Sequence, residues 1–165
     1  MNLPMKSIAV LVALASLTLC GRNTTKPEPA STNQQAALTG QLPYNPLAWK
    51  VVTSSIDHTN STMSTLYGND RAIAYVRSTT GSAYPAGSVL ALVTWAQRDD
   101  PHWFGAKIPA SPQSVEFVSF PTQSAQQPTY QVYRGSPLAR VEPIASDEAA
   151  RRLDYISSQR AAVMP

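Results

Sequence analysis

Only one cysteine, Cys20, occurs in the 165-residue chain, and it closes an apolar run, residues 8–19, that stands behind Lys6. Downstream of it there is no thiol, so the folded part must hold together on its core alone. Disulfides, zinc–thiolate sites, iron–sulfur clusters and the C-x-x-C-H attachment of a c-type haem are all excluded there. The segment before the cysteine has its own logic: a charged start, a short apolar core and a polar continuation build an export signal. About a dozen residues at ~1.5 Å each cannot span a bilayer core of ~30 Å, so the run reads as a signal and not as a transmembrane helix.

Two processing routes fit residues 1–20. Leu17-Thr18-Leu19-Cys20 is similar to a bacterial lipobox, in which the cysteine is lipidated and becomes the first mature residue, with Leu19 standing where such motifs favour Gly, Ala or Ser. The other route is ordinary signal-peptidase cleavage, at Ala13-Leu14-Ala15 or just past Cys20. Lipidation at Cys20 is the favoured reading. It makes the membrane a partner through the anchor and places the protein in the periplasm. Gly21, where an Asp would retain a lipoprotein at the inner membrane, favours the outer membrane. Residues 21–41 are rich in Thr, Pro, Ser, Asn and Gln and bury too little to offset their ordering entropy, so they are expected to form a flexible linker. Residues 42–165 then make one domain. The net charge of +3 falls to +2 once Lys6 is removed, and the basic residues are scattered among acids. Nucleic acid is therefore not an expected partner, because phosphate binding needs a concentrated basic face.

Fourteen prolines between short apolar runs point to many turns and to β structure. Residues 47–56 and 62–67 read as a hairpin turning at Asp57-His58-Thr59-Asn60. Asn69 or Asp70 caps a short helix that ends near Ser78. Residues 88–97 are apolar with hardly an interruption and belong at the centre of the sheet. A turn at Arg98-Asp99-Asp100-Pro101 leads to an extended segment from His102 to Ile108, followed by strands at 115–120 and 129–134. Ser146-Asp147-Glu148 opens a C-terminal helix, with Ser146 as its cap, Ala149, Leu153 and Ile156 on one stripe, and Asp147 and Glu148 as i,i+4 partners of Arg151 and Arg152. The expected fold class is α+β: a predominantly antiparallel β-sheet with one short internal helix and a C-terminal helix.

Chemistry is sparse. The two histidines, His58 and His102, are not spaced to share a metal, and none is predicted. His102 is the better candidate for a ligand-binding role, because Trp103 and Phe104 can wall a pocket around it. Trp49, Trp95 and Trp103, with Tyr67, Tyr75 and Phe117, are expected to share one interior, as a core or as a cavity. There is no G-x-S-x-G elbow and no glycine-rich phosphate loop, so a hydrolase has no positive support and no catalytic residue is assigned.

Three stretches carry a resemblance: Tyr44-Asn45-Pro46-Leu47-Ala48-Trp49-Lys50-Val51-Val52, then Leu66-Tyr67-Gly68-Asn69-Asp70-Arg71-Ala72, then Tyr84-Pro85-Ala86-Gly87-Ser88-Val89-Leu90 followed by Trp95. In order and separation they resemble the cytochrome P460 domain family. The resemblance implies a haem-binding ancestry, with haem held through C-x-x-C-H and its histidine on the iron, and relatives that oxidise hydroxylamine or bind small gases. Where that motif would fall this chain has Tyr130-Gln131-Val132-Tyr133-Arg134-Gly135, and the central strand has no lysine for an extra haem cross-link. The expectation is an exported, lipid-anchored, non-catalytic binding or structural domain without covalent haem. Its alternative is a protein that binds haem or a small ligand non-covalently, with His102, Trp103, Tyr133 and Trp95 as site residues, or a redox enzyme related to the family.

Overall fold

The computed structural model describes residues 33–78, 83–122 and 127–161. Six strands, β1 (Lys50–Asp57), β2 (Thr62–Gly68), β3 (Val89–Asp99), β4 (Lys107–Ser119), β5 (Thr129–Arg134) and β6 (Ala139–Arg140), form one antiparallel sheet in chain order. Helix α1 (Asp70–Arg77) lies between β2 and β3, and α2 (Ser146–Ser158) follows β6. The expected α+β class holds, with the apolar strand at 88–97 placed inside the sheet as β3.

Alternation along β3 divides the core. Leu90 and Leu92 face both helices, where they join Val52, Leu66, Ala72, Ile73, Tyr84, Val118 and Ile156. Val89, Ala91, Val93 and Trp95 face the other way and pack with Val115, Phe117, Tyr133 and Leu138. The single aromatic interior expected from the sequence is therefore two: Trp95, Trp49, Tyr67 and Phe117 belong to one face, Tyr75 to the other. Trp103 belongs to neither and is 73% exposed.

The second face needs a cover, and residues 33–49 supply it. Ala36, Leu38, Leu42 and Trp49 pack on the Trp95 cluster. The indole N–H of Trp95 donates to the Ala36 carbonyl at 2.9 Å, and the Asn33 amide donates to the Pro109 carbonyl at 2.6 Å. Gly40, at φ +126°, bridges Leu138, where any Cβ would strike the Leu138 carbonyl oxygen. The linker expected over 21–41 is thus corrected for 33–41, which is docked chain. Its few apolar side chains suffice because the sheet face beneath them is otherwise open; residues 21–32 and Cys20 lie outside the described residues.

Three local expectations also change. The segment opened by His102 is a turn, not an extension, since the Ala106 N–H returns to the Trp103 carbonyl at 3.0 Å. The strands expected at 107–108 and 115–120 are one 13-residue strand containing Pro109 and Pro112. It tolerates them because β5 pairs only with Ser114–Ser119, so beyond that point β4 has no second ladder to feed. At the start of α2, Ala145 is the N-cap and no side chain caps the helix. In α1, by contrast, the Asn69 carboxamide accepts from Ala72 N–H at 3.0 Å and donates to the Gly87 carbonyl at 2.9 Å, tying the helix start to the entry of β3.

Candidate functional site

A cleft of about 420 Å³ opens on the helical face between α1, the chain entering β3 and the C-terminal half of α2. Tyr75 projects from α1, Tyr84 from the segment before β3, and Phe120 from the end of β4. The Tyr75 and Tyr84 rings lie 4.4 Å apart, tilted at 44°, and Tyr84 stacks on Phe120 at 4.8 Å and 22°. Together they make an aromatic wall. Leu153, Asp154 and Ser157 of α2, with Arg160 just beyond it, form the opposite side.

Two hydroxyls give this wall chemical meaning. Tyr84 is nine-tenths buried, yet its hydroxyl has no hydrogen-bond partner among the described residues, and neither does the buried Ser157 hydroxyl. Buried polar atoms are almost always paired, because an unmade bond costs about 1–3 kcal/mol. Burial pushes the Tyr84 phenol up to about 12, with the neighbouring Tyr75 adding to the rise and Arg160 opposing it. At neutral pH it is an uncharged donor. The cleft therefore offers stacking surface, one carboxylate and one guanidinium, with two unpaired hydroxyls buried in its wall. Among the described residues no histidine lines the cleft.

The position of α2 rests on a second polar group. Glu116 lies on the helical face of β4, opposite Leu92 and Val132 in the ladder, with its side chain 7% exposed. Arg152 donates to both its oxygens, each at 2.8 Å, and the Tyr130 hydroxyl donates to Oε2 at 2.6 Å. Arg152 also lies 4.8 Å from the Tyr155 ring centroid. The hydrogen bond with Glu116 holds the Arg152 charge on more firmly, and burial, followed by Glu116, raises the Tyr130 phenol. The expected pairing of Arg152 with Glu148 is corrected: Arg152 reaches into the sheet, while Glu148 meets Arg134 at 3.8 Å. Only Arg151 keeps its helical partner, Asp147, at 2.8 Å.

The four residues expected to line a site do not converge on one. Trp95 and Tyr133 share a packed face, Trp95 bonded to Ala36 and Tyr133 to Gln131 at 3.3 Å, with Phe117 edge-on to Tyr133 at 5.8 Å. His102 and Trp103 are exposed in the β3–β4 turn, away from the other two. The residues that sequence reasoning passed over are Tyr84, Ser157 and Glu116. Glu116 had a usable signal, a lone carboxylate flanked by Val115 and Phe117 in a buried strand; Tyr84 and Ser157 had none.

A sequence model of the family described as Cytochrome P460 matches residues 44–134, more than half of the chain and all of β1 to β5. No curated protein matches the chain significantly.

Proposed function

The chain belongs to the cytochrome P460 family, and on that premise we propose an exported binding protein, anchored at the outer membrane through lipidated Cys20, whose helix-side cleft takes a small planar ligand without covalent haem. The role is non-catalytic. The observation that carries this reading is the Tyr84 hydroxyl, buried without a partner at the edge of an open aromatic cleft. An acceptor atom on a ring lying against the wall of Tyr75, Tyr84 and Phe120 would satisfy it, and Arg160 favours an anionic group on that ligand.

Haem is the group the family implies, and the residues do not fit it. Thioether attachment needs two cysteines and the chain has one. Haem iron takes His, Cys, Met or Tyr as axial ligand. Among the described residues the cleft holds no His, Cys or Met, and its Tyr84 phenol, raised to about 12, resists becoming a phenolate ligand. No cluster of three or more His, Cys, Asp or Glu suited to a metal occurs among the described residues.

The test is a thermal-shift titration of the purified protein with benzoate and 2-naphthoate, with haemin run in parallel. A rise in Tm with 2-naphthoate that Tyr84→Phe abolishes supports the cleft. A flat response to both acids, or a saturable Soret band that His102→Ala removes, overturns it. The anchor is tested separately by palmitate labelling in cells, which Cys20→Ser must abolish.

A further inference from the structure

The longest hairpin of the sheet ends in two bare aromatic side chains. β3 continues three ladder positions past Ala96, its last residue paired with β2, through Gln97↔Pro109, Arg98↔Ile108 and Asp99↔Lys107. At ~3.3 Å per residue this carries the tip about 10 Å beyond β2. There Trp103 is 73% exposed and Phe104 fully so. The turn that presents them satisfies itself. The Asp100 carboxylate accepts from His102 N–H at 2.8 Å, Asp100 N–H donates to the Ala106 carbonyl at 3.0 Å, and Gly105 takes the positive φ, +78°, with open space around it. Lys107 pairs with Asp99. The charges of the tip are thus nearly balanced, and little remains for a polar partner to read.

The chain from Cys20 arrives beside this hairpin. Asn33, the first described residue, donates to the Pro109 carbonyl at 2.6 Å and accepts from Arg98 at 3.4 Å, two ladder positions from the turn. Thirteen residue steps separate it from Cys20, a reach of at most roughly 45 Å.

We infer that the Trp103–Phe104 tip is a second membrane contact, inserting its rings into the interfacial layer of the bilayer that carries the anchor. This rests on the proposed lipidation of Cys20. An indole beside an apolar ring suits the headgroup boundary, where one edge is wet and the other is not. Tethering makes weak affinity sufficient, because a linked second contact acts at an effective concentration of about millimolar. With balanced charge, the contact is apolar and independent of salt.

The experiment uses the full lipidated chain in vesicles of phosphatidylethanolamine and phosphatidylglycerol containing lipid brominated near the headgroup. Quenching of about a third of the emission is expected, the share of one indole among three. It should be unchanged by added salt and lost in Trp103→Ser/Phe104→Ser, whose unfolding midpoint should match wild type. Absence of quenching in a palmitate-labelled protein overturns the tip contact and leaves the anchor standing. If the protein takes no label but the Cys20→Ser chain is still quenched by the vesicles, the tip contact stands and the anchor falls. Trp103-dependent dimers in sedimentation, without quenching, overturn the proposal in favour of a contact between copies.

Discussion

Replacing Arg152 with alanine should be among the most damaging single changes to this domain that leave its apolar core intact. Glu116 would keep the Tyr130 hydroxyl but lose both bonds at 2.8 Å, with its side chain 7% exposed and little access to water. Breaking one partner of a buried ion pair costs about 3–5 kcal/mol. The Arg152 side chain is itself 34% exposed, so water can partly replace it and a lower figure applies, about 2–3 kcal/mol. For a domain of this size each kcal/mol lowers Tm by about 3–5 °C, giving a fall of about 6–15 °C. Arg152→Lys, which can restore one bond but not the fork, should recover about half. Removing the whole group, in Glu116→Leu/Tyr130→Phe/Arg152→Leu, should return stability to within about 1 kcal/mol of wild type, because no charge is then left buried alone. Urea unfolding followed by tryptophan emission, with an unchanged slope, is the assay. If Arg152→Ala loses less than about 0.5 kcal/mol, or the triple variant is no better than the single one, Glu116 is not the clamp that seats α2.

Tyr84→Phe should leave stability unchanged or raise it by up to about 1 kcal/mol, since the hydroxyl it removes makes no bond, while abolishing the 2-naphthoate shift; a clear loss of Tm would mean that the hydroxyl is paired. Stability should decline as pH rises from about 10 toward about 12. In that window unfolded Tyr84 releases a proton that folded Tyr84 retains, so the unfolded state binds fewer and unfolding is favoured; Tyr84→Phe should make the alkaline limb of a Tm-against-pH curve less steep, leaving the share of the likewise raised Tyr67 and Tyr130. Deleting residues 33–41 should lower Tm by at least about 6 °C, through lost cover on the Trp95 cluster and the lost indole bond, and should shift Trp95 emission to the red. Gly40→Ala should reproduce part of that effect, about 2 kcal/mol, by driving a Cβ into the Leu138 backbone; equal stability of the variant would refute the docking of this segment.

Much of the fold could be read from short-range pattern. The unbroken apolar run of β3, the turn at 57–60, the cap at Asn69 and the strand at 129–134 each carry their signal within a few residues, and the ladder joins them in chain order because each strand is close enough to its predecessor to pair with it. Two prolines hid the unity of β4, since a proline forbids a strand only where a second neighbour needs its N–H, and which edge is free is known only once β5 is in place.

The site was barely legible. Aromatic residues at Trp95, Trp103 and Tyr133 advertised a pocket, yet Trp95 and Tyr133 ended in one packed face and Trp103 at a hairpin tip. Sequence alone settled that no thiol follows Cys20 in this chain and that it contains no C-x-x-C-H, and it pointed to an antiparallel sheet with two helices, because these depend on residue identity and on periods of two and 3.6. Tertiary structure alone decided that residues 33–41 cover the sheet, that Arg152 spans from α2 to Glu116 on β4, and that Tyr84 and Ser157 open onto one cleft. Those pairings join residues tens of positions apart, and only close packing of the finished sheet and helices brings them within bonding distance.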